Sequence, residues 1–416
     1  MRYFYADSLD LVDPTFDFVS EESVRGRIPQ RDDIYAHQLF APDRPYDGIL
    51  VSKWLVDGHG GQSRYSQAQR QRFLRDGAQR FLRFPADGSF DPEQHPILGD
   101  CGAFNYAKEV EPPFAVNDVV EFYQMCGFTH GLSVDHMILD YGTGYDDGTV
   151  PVPEEARRRS ELTQTLAAEF LQTCSRDRVR FQAIGVAQGW SPKSYASSVR
   201  ALAKMGYDYV ALGSMVPLKT PDIQAVLSAV RDETQGQLRL HLLGITRLEA
   251  FTSFADAGVV SLDSTSPLRQ GVKEGIYYGD GGPYMTVRIP QTDVYPKLIN
   301  SIRSGFVRQE DAMRAERESL EMVAAFDTGA VSADALVTHL QKYESMYGGK
   351  SPWNEVRRTL AERPWNRCPC GVCRALGIQV VVFRGANRNR RRGFHNLWYT
   401  HQQLTALRTE RQQESA

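Results

Sequence analysis

Through the first two thirds of the chain, short apolar β-branched runs alternate with longer stretches in which apolar residues return every three or four positions. Such short runs read as strands and the longer ones as amphipathic helices. Seven strand-like runs fall at residues 49–51, 96–98, 131–134, 179–186, 209–212, 238–243 and 259–262. Between the first two, Phe73, Gly77 and Phe81 share one side of a helical stretch with arginines opposite. Asn117 is placed to cap a helix through Cys126 that Gly127 ends. Residues 154–173 read as a helix, and Ser191-Pro192 opens the next with proline at its first position, where its missing amide costs nothing. Thr220-Pro221-Asp222 repeats that signal, and Thr246 starts one more helix. An eighth strand is not evident, and residues 279–283 read as a loop. Residues 292–347 lose the strand pattern and read as helices.

Alternation of strand and helix predicts an α/β fold with a parallel sheet, either a barrel or a doubly wound sheet. Polar residues at strand ends favour the barrel, because an α/β barrel builds its site at the carboxyl ends of its strands. Asp100 follows the run at 97–98, Asp135 the run ending at 134, Gln188 the run ending at 186, and Asp263 the run ending at 262. A single strand-end Asp is more often a helix cap or a solvated loop acid. Four polar residues on four separate ends point to a shared pocket. The expected architecture is a (β/α)8 TIM-like barrel over residues 1–290, including an N-terminal extension, followed by a helical region with a zinc-binding subdomain over 291–416.

Two carboxylates converging on one centre suit glycosidic chemistry, with one as nucleophile and the other as acid and base. A further carboxylate and an amide can read the edge of a polar ring that carries both N–H donors and a carbonyl. Gly102, Gly189 and Gly213 would allow a flat ligand to approach the backbone, although turn geometry explains them too. No phosphate-loop or dinucleotide fingerprint is present, so no nucleotide cofactor is expected.

A chain of 416 residues that is 42% hydrophobic has ample material for a core, which excludes a disordered protein. Lys and Arg number 48 against 51 Asp and Glu, so any polyanion site must be local. No signal-like start and no long uncharged apolar run occur, which predicts a cytoplasmic protein with no membrane partner.

Three of the six cysteines crowd into Cys368-Pro369-Cys370-Gly371-Val372-Cys373, with His395 further on. Three thiolates and an imidazole make a closed tetrahedral set for a structural Zn2+, with His401 as a reserve ligand. A redox thiol cluster is the alternative, and the flanking sequence lacks the context of one. Residues 384–392 form a basic stretch read as a loop, from which Arg388, Arg390, Arg391 and Arg392 are expected to neutralise phosphates.

Together these residues resemble the tRNA-guanine transglycosylase family, and most closely its bacterial DNA-modifying branch, the DpdA-type enzymes. The resemblance runs from the strand at Ile97 to His395-Asn396-Leu397, and the opening Tyr3-Phe4-Tyr5-Ala6-Asp7 is also similar to that branch. It implies that Asp263 is the nucleophile forming a covalent glycosyl-enzyme and that Asp100 is the general acid and base. It further implies that Phe104 stacks on the base, that Asp135 and Gln188 bind the purine edge with backbone contacts from Gly213, and that Cys368, Cys370, Cys373 and His395 hold zinc. The implied reaction replaces guanine in DNA by the free 7-deazaguanine base preQ0, with a helicase or other accessory protein to open the duplex. A tRNA-modifying enzyme of the queuosine pathway and a non-catalytic zinc-dependent nucleic-acid-binding subunit are the alternatives. Three departures bear on substrate: the family's Asp-Ser-Gly-Gly is Asp100-Cys101-Gly102-Ala103 here, its Phe-Asp-Cys is Leu262-Asp263-Ser264, and the stretch before His395 is shorter and richer in arginine.

Overall fold

The computed structural model describes residues 1–58 and 63–414. Eight strands, β1 (Arg2–Ala6), β2 (Gly48–Ser52), β3 (Ile97–Asp100), β4 (His130–Leu132), β5 (Gln182–Ala187), β6 (Tyr209–Leu212), β7 (Arg239–Leu242) and β8 (Val259–Asp263), close into a parallel barrel in chain order. The protein is therefore an α/β barrel, as the polar strand ends indicate. The strand missing from the pattern is the first. Tyr3, Phe4 and Tyr5 are all buried, so β1 shows no alternation, and buried parallel strands read as continuous apolar runs. β1 also carries the closure: it pairs with β2 on one side and with β8 on the other, in a register that sets Phe4 opposite Asp263. Inside the barrel Phe4, Leu50, Leu98, Leu132, Ile184, Val186, Tyr209 and Ala211 form one apolar cluster.

Several helix starts follow the local signals. Ser191 caps the helix Pro192–Met205 by accepting from the Ser194 amide at 3.2 Å. Others do not. The helix expected to be capped by Asn117 is Val116–Met125, and the extended residue before it is Ala115. The Asn117 side chain instead accepts from the Arg176 guanidinium at 3.1 Å. After Thr246 the chain makes a 3-10 turn at Leu248–Ala250, and the helix begins at Phe251. Of the residues read as a loop, 279–283, only Asp280 and Gly281 turn; the rest belong to an antiparallel hairpin of β9 (Ile276–Gly279) and β10 (Gly282–Met285), in which Gly279 pairs with Gly282.

The chain forms two compact units. One comprises Met1–Leu9, Tyr46–Thr265 and His401–Ala416 and contains the barrel; the other comprises Asp10–Pro45 and Ser266–Thr400. The second holds the helices Pro296–Arg303, Gln309–Asp327 and Ala333–Ser345, matching the helical reading of residues 292–347. The basic stretch is the start of the helix Gly385–Glu414 and not a loop. No described helix is long and apolar enough to cross a membrane.

Within the barrel unit, Asp47 fastens the start of the chain. Its carboxylate accepts from the Tyr3 amide at 2.7 Å, from His401 Nε2 at 3.2 Å and from Arg408 Nη1 at 3.1 Å. Burial would raise its pKa, but the hydrogen bonds from His401 and Arg408 outweigh burial and hold the carboxyl well below the usual range. A carboxyl whose pKa falls on folding stabilises above its unfolded pKa and loses that contribution as pH drops through the folded value. Asp47→Asn is therefore expected to cost about 1–3 kcal/mol in denaturant unfolding near neutral pH. The cost should shrink below about pH 4; a cost that does not change with pH would show that the charge is not what matters.

Candidate active site

The carboxyl ends of β3, β4, β5 and β8 bring Asp100, Asp135, Gln188 and Asp263 to one end of the barrel. Asp100 is the last residue of β3, opposite Ser52 of β2, and is the most accessible of the three acids. Backbone amides of Gly102 and Cys101 hydrogen-bond to it. Gly102 has a φ of 93°, and a Cβ there would lie 2.5 Å from Ser52 Oγ, so this turn requires glycine. The turn runs into a 3-10 segment, Ala103–Tyr106, that buries Tyr106 and leaves Phe104 78% exposed.

Asp135 is buried at the centre of a polar network. Gln188 Nε2 donates to its Oδ2 at 2.7 Å, and the Cys101 thiol donates to its Oδ1 at 3.3 Å. Burial pushes the Cys101 pKa far up, so the thiol keeps the proton it donates. Cys101, the residue at which the Asp100-Cys101-Gly102-Ala103 stretch departs from Asp-Ser-Gly-Gly, thus acts as a hydrogen-bond donor to Asp135. Tyr106 holds the same loop by donating to the Asp135 carbonyl at 3.0 Å, and its hydroxyl lies 2.8 Å from Cys101 Sγ. The Gln188 amide is oriented by Ser214, whose hydroxyl donates to Oε1 at 2.7 Å. It lies flat over Gly213, where a Cβ would fall 2.1 Å from Gln188 Nε2. Gly213 is therefore needed for side-chain clearance, and Tyr195 fixes it through a 2.8 Å hydrogen bond to its carbonyl.

Asp263 ends β8 and is buried. Its Oδ1 accepts from the Gly244 amide at 2.9 Å and lies 3.1 Å from His241 Nε2. His241, Ser214, Tyr106 and Tyr195 were not singled out in the sequence. His241 lies within the strand run at 238–243, and nothing in that run marks it apart from its neighbours.

Burial, reinforced by the negative charges of Asp135 and Asp263, raises the Asp100 pKa to about 7. Burial raises that of Asp135 to about 6, against the hydrogen bonds from Gln188 and Cys101. Three carboxyl groups in one low-dielectric pocket cannot all ionise cheaply.

In the second unit, Cys368, Cys370, Cys373 and His395 place four ligand atoms within 4.8 Å of one another. His395 Nδ1 is 3.6, 3.4 and 3.4 Å from the three sulfurs in that order. Bonds of about 2.0–2.3 Å to a central ion give tetrahedral edges of about that length, so the set fits a four-coordinate metal. His395 Nε2 lies 2.8 Å from the Tyr278 carbonyl, which accepts its proton and leaves Nδ1 to face the thiols. Tyr277 stacks on the imidazole at 4.1 Å. His401, the reserve ligand, is instead engaged by Asp47.

The arginines expected on phosphates turn inward. Arg388, Arg391 and Arg392 are 2%, 4% and 0% exposed. Arg388 donates to Glu21 and to the Phe18 carbonyl, Arg391 to the Asp13 carbonyl at 2.6 Å, and Arg392 to the carbonyls of Gly271, Val380 and Val382. Their guanidinium groups are used up within the second unit, which corrects the expectation for these three. Arg390 is half-buried and donates to the Leu11 carbonyl at 3.2 Å.

The chain is 41% identical to a Salmonella montevideo protein named "DNA-guanine transglycosylase", across 99% of each chain. No family model matches it.

Raised carboxyl pKa values predict the pH dependence of stability. Below about pH 4 both states hold the protons and no penalty exists, whereas above the folded values the folded state bears the full cost of buried charge. Asp100→Asn and Asp135→Asn should therefore raise Tm at about pH 8 and change it much less at about pH 4. A lower Tm in alkaline buffer would contradict the burial argument.

Proposed function

The chain belongs to the DpdA-type DNA-guanine transglycosylases, and we propose that it exchanges guanine in DNA for the 7-deazaguanine base preQ0 by double displacement at Asp263. The observation that carries this reading is the contrast between two strand-end carboxyls. Asp263 has one oxygen anchored by a backbone amide, and Asp100 holds a proton up to about pH 7. Opposed environments of this kind separate nucleophile from acid.

A target guanine must leave its stack, at a cost of a few kcal/mol that pocket contacts offset. Exposed Phe104, Leu139 and Val216 lie on the segments that follow β3, β4 and β6, and apolar surface there suits unstacked bases. Asp135 accepts N–H groups of the purine edge and Gln188 donates to its carbonyl, while Gly213, whose amide already donates to the Ala187 carbonyl at 3.0 Å, clears the space that Gln188 occupies. Asp263 attacks C1′ as a carboxylate; the C1′–N9 bond breaks and guanine leaves with the proton of Asp100. The Asp100 carboxylate then takes the N9 proton of the incoming base, which attacks C1′ and expels Asp263, so configuration is retained overall. Cys368, Cys370, Cys373 and His395 would hold Zn2+, closed to substrate and therefore structural. Of the four arginines, Arg390 alone keeps exposed surface from which to reach a phosphate.

Labelled preQ0 offered with single-stranded DNA, duplex DNA and tRNA tests the assignment. Incorporation into DNA is expected, and incorporation into tRNA alone would overturn it. Opening of the duplex by an accessory protein predicts that single-stranded DNA is the better substrate of the isolated chain. Asp263→Asn should abolish incorporation, and guanine release by the wild type should fall as pH rises through about 7, where Asp100 loses its proton. Elemental analysis should find zinc bound stoichiometrically, lost together with thermal stability in Cys370→Ser.

A further inference from the structure

A column of hydrogen-bonded polar groups crosses the apolar barrel interior and ends on Asp263. Tyr209 begins β6, Ser261 and His241 lie opposite each other at the middle of β8 and β7, and Asp263 ends β8. The Tyr209 hydroxyl is hydrogen-bonded to Ser261 Oγ, Ser261 Oγ is 2.5 Å from His241 Nδ1, and His241 Nε2 is 3.1 Å from Asp263 Oδ1. His241 and Ser261 are fully buried, and Phe4 packs edge-on against the imidazole at 6.0 Å.

From this arrangement, and resting on the transglycosylase reading above, we propose that Tyr209, Ser261 and His241 form a relay that orients Asp263, with His241 as a positioning residue that selects which carboxylate oxygen attacks. A carboxylate only accepts, so the proton between His241 and Asp263 belongs to Nε2. That leaves Nδ1 to accept from the Ser261 hydroxyl, and Ser261 in turn to accept from the Tyr209 hydroxyl. Burial favours the protonated phenol of Tyr209, which keeps the donors pointing one way. The imidazole thus presents its Nε2–H to Asp263 and turns its other nitrogen to Ser261. Both donors to Asp263, the Gly244 amide and His241, fall on Oδ1. Among the described residues no donor falls on Oδ2, which is the oxygen left for C1′, and the two donors on Oδ1 oppose rotation of the carboxylate. A buried chain in which every member is satisfied fixes geometry more firmly than one bond would.

The test is single-turnover release of guanine from DNA, with covalent protein–DNA adduct scored on denaturing gels, for His241→Phe, His241→Gln, Ser261→Ala and the His241→Phe/Ser261→Ala double variant. Losing the outer hydrogen-bond partner of a metal ligand costs about 10- to 100-fold, and the same scale is expected for an outer partner of a nucleophile. His241→Phe should slow adduct formation by that factor with KM for DNA unchanged, and His241→Gln, whose amide can donate from the same place, should recover most of the rate. Ser261→Ala should lose less, and nothing further in the His241→Phe background, because it acts through His241. If His241→Phe fails to fold, Ser261→Ala and His241→Gln carry the test, the former slower in adduct formation at constant KM and the latter close to wild type. Wild-type adduct rates in His241→Phe or Ser261→Ala, full additivity in the double variant, or a change confined to KM overturns the relay. A wild-type protein that releases no guanine from DNA overturns the function, and the relay with it.

Discussion

Crowding of carboxyl groups at one end of a closed barrel is the constraint on which the chemistry of this protein depends. Asp100 ends β3, Asp135 follows its neighbour β4, and Asp263 ends the distant β8, and closure of the ring leaves them sharing one poorly solvated space. Each added negative charge makes the next more expensive. The molecule meets this in three different ways: Asp135 takes one donor on each oxygen, from Gln188 and Cys101, Asp263 is held by the Gly244 amide and His241, and Asp100 retains a proton towards neutral pH. Division of roles among like groups follows from these local differences.

The second unit solves the opposite problem, an excess of positive charge. Arg384 and Arg388 share Glu21, Arg384 also reaches Glu316, and Arg391 and Arg392 spend their donors on backbone carbonyls. A guanidinium carries five donors in a fixed fork, so a few of them can satisfy the free carbonyls of irregular chain. Here they fasten residues 13–21 to the start of the helix Gly385–Glu414. Removing one partner of such a set leaves a buried charge unpaired, which is why these contacts are structural first.

Much of this was legible in local sequence. Strands β2–β8 announce themselves as apolar runs, the three aspartates and Gln188 stand directly after such runs, and three cysteines within six residues have few other uses. Those features are written in spacing and residue type, which hydrophobic periodicity and ligand chemistry convert into structure. The cap assigned to Asn117 illustrates where local rules stop: its side chain is claimed by Arg176 on a distant helix, and an alanine takes the terminal position.

What the residues could not reveal along the chain depends on contacts between distant segments. β1 is a short aromatic run at the head of the chain, apart from the strand–helix alternation, and its pairing with β2 and β8 sets Phe4 beside Asp263. The arginine-rich stretch reads as a phosphate-binding loop until Glu21, 363 residues from Arg384, is brought against it. His241 is an ordinary strand residue until Ser261 and Asp263 meet it from the next strand. Patterns of two and 3.6 report which face of an element is buried; the partner that buries it, and hence whether a polar side chain serves the fold or the reaction, is settled when the barrel closes.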